Sequence, residues 1–248
     1  MHQPIFLAHR TIISVTGADA EPFLNNIVTV STLGLAPGEL RYGALLTPQG
    51  KVIADLLLTR ESDAILIDCD AAAAPALSRR LTMMKLRAAV AIKERHDLGV
   101  TAFEGMSDPR TPLAPQRRIG PRGDPSDTSA YHAARIAAGL PEQSADFGAE
   151  DVFPADINMD LLGGVDFRKG CFVGQEVASR MKRRGTARRR TLKARVAQGA
   201  PASAILANDF EIGMLTSISG GAALARVRID RLAEAQAKGE TITVSGQD

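Results

Sequence analysis

Asp166-Phe-Arg-Lys-Gly-Cys-Phe-Val-Gly-Gln-Glu176 concentrates a cysteine, two glycines and a terminal acid into one short stretch, and a basic run follows it to Arg195. Gly170 and Gly174 permit close backbone approach or positive φ. Gln175 to about Arg184 reads as a helix, with Glu176 in its first turn, where a carboxylate is favourable. Cys171 fits two readings equally well. Beside Lys169 and ahead of a helix N-terminus, its thiol has surroundings that favour thiolate and reactivity. A free cysteine packed as a small apolar residue under a turn fits the same residues. Likewise, Gln175 and Glu176 suit either the edge of a heterocycle or helix capping.

Charge is distributed unevenly around this stretch. From Val177 to Asn208 there is no acid, while Arg180, Lys182, Arg183, Arg184, Arg188, Arg189, Arg190, Lys193 and Arg195 supply nine positive charges. The whole chain carries only +2, so the remainder carries −7. A cationic surface on an acidic body suits an acidic ligand or partner. The run contains no aromatic residue to stack a base, which makes nucleic acid an unlikely partner and a solvated face the commoner outcome.

Working back toward the N-terminus, Thr11–Val15 reads as a strand, and Ala20–Ile27 as a helix through Phe23, Leu24 and Ile27. Tyr42–Leu46 and Lys51–Leu58 flank Thr47-Pro-Gln-Gly50, a type I turn, and so form a hairpin. Ala64–Asp68 adds a strand, and Asp70 caps a helix whose buried stripe is Leu77, Leu81, Met84 and Leu86. Val90–Lys93 and Leu98–Phe103 are further strands. Gly105–Pro125, with five prolines, reads as a linker or surface loop. A helix through Tyr131 and Ile136 follows and stops at Gly139. Beyond the focal stretch, Thr191–Val196, Ala204–Ala207, Glu211–Ile218, Ala222–Ile229 and Ile242–Val244 are short strands of a small barrel or sandwich.

Asp55 is the oddity in the hairpin, since a charge within Val52–Leu58 is costly unless paired. Strict alternation puts it on the face of Ile53 and Leu57, as either a solvent-edge residue or a carboxylate lining a cleft. Phe153-Pro-Ala-Asp-Ile-Asn-Met-Asp160 offers short polar side chains that also suit plain turn chemistry.

Length, 45% hydrophobic and 23% charged content describe an ordinary globular chain. The two cysteines, Cys69 and Cys171, exclude a disulfide scaffold. His2, His9, His96 and His132 lack metal-ligand spacing, so no metal is expected. Apolar runs are too short to span a membrane, and the first residues lack a secretory leader. These features predict a cytoplasmic protein, or one of the mitochondrial matrix in a eukaryote.

Lys169-Gly-Cys-Phe-Val-Gly-Gln-Glu176 resembles the Lys-Gly-Cys-(aromatic)-x-Gly-Gln-Glu signature of the YgfZ-type folate-binding proteins. The resemblance extends through Asn158–Asp166, Arg180–Gly185, Val15–Ala20, Phe23–Asn25, Leu46–Lys51 and Gly213–Arg228. It implies an α+β fold related to the glycine-cleavage T-protein, an aminomethyltransferase: a three-domain clover leaf with antiparallel sheets and a small C-terminal β-barrel. The implied divisions are an N-terminal folate-binding region of two intertwined subdomains (1–104), a Pro/Gly-rich loop (105–126), a central segment carrying the signature (127–187) and the barrel (188–248).

The implied ligand is tetrahydrofolate, and the implied role is assembly or maintenance of iron–sulfur enzymes, which would be the partners. Asp55 is placed at the T-protein's catalytic aspartate, with Ala54 replacing the acid before it. Asp156 is placed at a pterin-binding glutamate. Asn158, Lys169, Gly170, Gly174, Gln175 and Glu176 complete the expected folate site, with Cys171 as the reactive thiol. Two alternatives stand beside this: aminomethyl transfer through Asp55, and an RNA-modification-associated module binding through the basic run.

Overall fold

The fold is that of a computed structural model, which describes residues 2–197 and 200–244. Its β-branched and aliphatic runs form three sheets, and every strand pair within them is antiparallel. The first sheet has the order β3-β4-β5-β2-β6, from β2 (Arg10–Thr16), β3 (Arg41–Leu46), β4 (Val52–Glu61), β5 (Ala64–Asp70) and β6 (Ala91–Glu94). Helices α1 (Ala20–Ile27) and α2 (Ala74–Met84) cover one face, burying Phe23, Leu24, Leu77 and Leu81 against Ile13, Leu56, Leu58 and Ile67. The other face of β3 and β4 packs Tyr42, Ala44 and Leu57 against Phe147, Ile157, Met159 and Phe172 of the central segment.

A second sheet, β1-β7-β8, joins β1 (Ile5–Phe6), β7 (Leu98–Met106) and β8 (Arg117–Pro121). The expected linker at 105–125 therefore contains a strand. Arg117 is fully buried on it, and Asp108 and Arg110 ahead of it are buried and ion-paired. Prolines terminate that strand rather than preventing it, because β8 lies at a sheet edge, where a missing donor costs no ladder bond.

Helix α3 (Ser129–Ala138) leads into the central segment, and α4 (Gln175–Arg184) has the boundaries expected from sequence. The third sheet has the order β13-β10-β11-β12-β9, from β9 (Arg189–Arg195), β10 (Ala204–Ala207), β11 (Phe210–Ser219), β12 (Ala222–Arg228) and β13 (Ile242–Val244). Helix α5 (Ile229–Lys238) packs on β12 and β9 and was not anticipated. The alternation of Ala225 and Val227 with Arg226 and Arg228 carries on to Ile229, which hid the change of period there. Leu86 also departs from expectation: it lies past α2 with φ +46° and is 86% exposed, so the buried stripe ends at Leu81, with Met84 half-buried.

Candidate functional site

The hairpin turn at 47–50 and the Cys171 stretch, far apart in sequence, meet backbone to backbone. Gly174 sits at the N-cap of α4 with φ +78°, and a Cβ there would lie 2.6 Å from the Thr47 carbonyl oxygen. Gly50, at φ +81°, would place a Cβ 2.9 Å from Val177. Glycine is required at both positions by the conformation and again by the close approach. Gly170 differs, since no heavy atom lies within 4 Å of a Cβ built there.

Upstream of Cys171 the loop is tied down by short-range chemistry. Asp166 Oδ1 accepts the backbone N–H groups of Arg168 (2.9 Å) and Lys169 (3.2 Å). The Asp166 N–H donates to the Thr29 carbonyl at 2.9 Å, and the Thr29 hydroxyl donates to Gly164 O at 2.6 Å. Lys169 reaches into the C-terminal end of α1. Its ammonium donates to the carbonyls of Asn25, Val28 and Val30. Burial lowers this ammonium to about 8, while Asp166 favours its charge; the carbonyl acceptors, at the negative end of the α1 dipole, favour it too. These three bonds tie the loop to the end of α1. Cys171 itself is exposed, and Glu176 is exposed in the first turn of α4. Gln175 donates its backbone N–H to Phe172 O at 3.2 Å.

Asp55 lies elsewhere, in the dry interior. Neither edge nor open cleft describes it, for it is 2% exposed. A β-bulge lies just ahead of it. Leu45 pairs with Ala54 and Leu46 with Val52, leaving Ile53 as the extra residue. The bulge breaks strict alternation: Asp55 and Leu57 face Tyr42 and Ala44, whereas Ile53 joins Ala54, Leu56 and Leu58 on the helix-covered face. Gln143 holds the bulge, donating from Nε2 to Ile53 O at 2.9 Å and accepting the Asp55 N–H at Oε1. Asp55 Oδ1 and the Tyr42 hydroxyl are buried without a hydrogen-bond partner. Burial pushes the Asp55 carboxyl up to about 6, against the pull of Arg10 and Arg110.

Around Asp55 runs a network that sequence reading missed. Asp68 accepts from Arg10 Nε at 2.6 Å and from Arg117 at 2.8 Å. Arg117 donates to the Tyr131 hydroxyl at 2.7 Å, which donates to Glu142 at 2.9 Å. Arg110 pairs with Asp108 at 2.7 Å and lies 5.1 Å over the Tyr42 ring. Burial works against charge on Glu142, but His9, Arg10 and Arg117 together hold it well below the usual carboxylate range. Asp108, also opposed by burial, is held at about 2 by Arg110 and Arg117. Arg135 and Asp146, paired at 2.7 Å, extend the network to Ser217 and Thr216 of β11, so it fastens the third sheet to the rest. One signal was available in sequence: Asp68 and Asp70 close an apolar strand, the same anomaly that marked Asp55.

Asp156 and Asn158 sit against β9. The Asp156 carboxylate accepts the Phe153 N–H at 2.9 Å, and burial raises its pKa against that bond and against Lys51, Arg189 and Arg226. Asn158 donates from Nδ2 to Thr191 O at 2.6 Å, and the Thr191 hydroxyl donates to Asp156 O at 3.0 Å. The expected site residues therefore fall in three places: Cys171 to Glu176 at the 47–50 turn, Asp55 in the buried network, and Asp156 with Asn158 at the third sheet. Among the described residues no group of three or more His, Cys, Asp or Glu is arranged for a metal ion. No described helix is long and apolar enough to cross a membrane.

Comparison with known proteins agrees with this architecture. Residues 7–102 match the family described as the GCVT N-terminal domain, and residues 188–248 match the CAF17 C-terminal β-barrel domain. A relative named iron–sulfur cluster assembly factor IBA57 homologue, mitochondrial, from Pyricularia oryzae is 32% identical over 216 residues, covering 75% of this chain and 55% of that protein. The mouse iron–sulfur cluster assembly factor IBA57, mitochondrial, is 28% identical over 239 residues, covering 79% of this chain and 67% of that protein. The chain thus spans about half the length of the fungal relative. The crystal structure of glycine cleavage system aminomethyltransferase T from Bartonella henselae superposes with a TM-score of 0.76 at 18% identity, over 92% of this chain and 78% of that one. With both ends matched and the architecture shared, the chain has a GCVT-like fold that ends in a CAF17-type C-terminal β-barrel domain.

Proposed function

We propose that this protein is a tetrahydrofolate-binding accessory factor in the assembly or maintenance of iron–sulfur enzymes, acting in the cytoplasm or, in a eukaryote, the mitochondrial matrix. The observation that carries the reading is the exposed Cys171 on a loop that Lys169, Asp166 and the 47–50 turn hold in place. Fixing a thiol at the surface on an ordered loop suits transfer or handling of a thiophilic metal cluster. The iron–sulfur names borne by the relatives support the same reading.

The folate part of this reading rests on two buried polar atoms. Asp55 Oδ1 and the Tyr42 hydroxyl share one face of β3 and β4, both without a partner, and a heterocycle N–H or amine would satisfy them. In this reading Asp55 holds the folate, Gln143 fixes its strand, and Asp156 and Asn158 position the wall formed with β9.

Replacing Cys171 with Ser in a strain whose own copy is deleted tests the cluster role. Cluster-enzyme activities should fall to those of the deletion; full rescue would sink it. Anaerobic titration calorimetry tests the folate part: tetrahydrofolate should bind the wild type, and Asp55→Asn should weaken it at least tenfold. A second reading rests on the same carboxyl. Held at about 6 and buried, Asp55 is poised to exchange a proton with a folate amine during aminomethyl transfer. That reading requires turnover of an aminomethyl donor, lost in Asp55→Asn.

A further inference from the structure

Four arginines line a single cleft of about 390 Å³ where the third sheet meets Asp151: Arg189 of β9, Arg226 and Arg228 of β12, and Arg231 of α5. The register of the sheet brings three of them together. Arg228 pairs directly with Arg189 across the ladder of β12 and β9, and Arg226 lies two residues along, on the same face. Val227 between them is buried in the core of the sheet. Like charges directly opposite each other destabilise an antiparallel pair. The sheet's own stability therefore does not account for this placement.

The chain's own carboxylates neutralise only part of the cluster. Asp230 accepts from Arg228 Nε at 2.9 Å and Nη2 at 2.6 Å, and Asp151 accepts from Arg226 Nη1 at 2.6 Å. Arg226 Nη2 meets only the Met214 sulfur, at 3.7 Å. Arg231 donates to the Glu211 carbonyl at 2.8 Å and, among the described residues, forms no ion pair. Arg189 forms neither an ion pair nor a side-chain hydrogen bond among them. Asp156, whose charge Arg189 and Arg226 favour, is buried and accepts the Phe153 N–H. Glu211 is the other acid of the lining, so the four arginines outnumber Asp151, Asp230 and Glu211.

We propose that this cleft binds a phosphate group of a small molecule, seated between Arg189 and Arg228 and reached by Arg226 and Arg231. An anion there turns the repulsion across the ladder into two attractions. The guanidiniums converge from two strands and a helix, and forks arriving from several directions suit a tetrahedral oxyanion better than a flat carboxylate. The ion pairs to Asp151 and Asp230 hold two of the forks in advance, which lowers the ordering cost of binding. The cleft has the volume of a small-molecule site, roughly 300–1,000 Å³. Its lining contains no aromatic side chain to stack a base, which favours a small molecule over RNA.

The test is titration calorimetry on the full chain at one ionic strength, with inorganic pyrophosphate as the probe. Tricarballylate supplies a tricarboxylate of similar charge, and an oligouridylate of about ten nucleotides supplies phosphates on a polymer. Pyrophosphate should bind one to one and at least about tenfold more tightly than tricarballylate. Arg189→Glu and Arg231→Glu change exposed residues outside any described ion pair, and each should weaken binding at least about tenfold. Arg180→Glu, on α4 and outside the cleft, should leave it within about twofold. Asp151→Asn releases Arg226 and should tighten binding about threefold, a gain that misfolding cannot produce. Amide shifts at Gly213 and Met214 on adding pyrophosphate would locate it. The proposal is overturned by an absence of saturable binding, by tricarballylate or the oligouridylate binding as tightly as pyrophosphate, or by equal losses in Arg180→Glu and Arg189→Glu. Unchanged or weaker binding in Asp151→Asn would overturn it as well.

Discussion

Arg10, Arg117 and Arg135 are buried and each is bound by carboxylates, whereas Arg180, Arg183 and Arg184 on α4 are exposed and bound by none among the described residues. Both groups are cationic, but their surroundings give them opposite work. In the interior a charge without a partner costs several kcal/mol, so every guanidinium there is met by Asp68, Glu142, Asp108 or Asp146. At the surface, water screens the same charge, and repulsion along a helix costs only tenths of a kcal/mol per pair. The dry cations fasten three sheets together and are spent on that. Only the wet ones remain available to something outside the chain.

The strongest way to break this contrast is to orphan the buried arginines. Asp68→Ala leaves Arg10 and Arg117 short of a counter-charge and should cost roughly 3–5 kcal/mol, read as a lower urea midpoint. A midpoint unchanged from wild type would mean that the network is not structural.

Lys169 is an intermediate case, a half-buried cation whose hydrogen bonds all go to backbone carbonyls. Lys169→Met should cost roughly 1.5–3 kcal/mol. It should also speed hydrogen exchange at Arg168 and Lys169 before the rest of the chain opens.

Asp55 sharpens the comparison with a buried acid whose Oδ1 is unmatched. Its carboxyl titrates near 6 in the fold, above its ordinary 3.8. The stability of its neutral form is therefore fully present below about pH 4 and is lost as pH rises through 6. Asp55→Asn does not titrate, so it should be more stable than wild type by about 1–2 kcal/mol near pH 8, and that gap should narrow near pH 5. Paired urea melts at the two pH values check this; a gap that widens on acidification would show that the carboxylate is stabilised after all.

The smallest effect belongs to the wet cations. Neutralising Arg180, Arg183 and Arg184 with Gln should move stability by no more than about 0.5 kcal/mol, in the stabilising direction if repulsion dominates. A large loss in thermal melting would place these residues in the structural group.

Much of the fold was legible along the chain because hydrophobic periodicity is a local signal. The 47–50 hairpin, the strands at 11–15 and 64–68 and helix α4 all follow from neighbouring residues. Strand β8 was hidden because prolines at an edge look like a loop, and α5 because its apolar start continued the strand before it. Within the candidate site, Cys171, Gly174 and Asp55 stood out as chemical anomalies in their own segments. Gln143, Tyr42 and Arg117 did not, since each is ordinary until its distant partner is in place.

The sequence by itself determined the order of the elements other than β8 and α5, the uneven placement of charge and the identity of the chemically unusual groups, all properties of residues within a few positions of one another. Tertiary structure decided which charges are dry, that Lys169 closes the C-terminal end of α1, and that the central segment covers the face of β4 that carries Asp55. Those outcomes depend on burial and on contacts between residues up to 144 positions apart. No local pattern encodes them, because the cost of a charge is set by what surrounds it after folding.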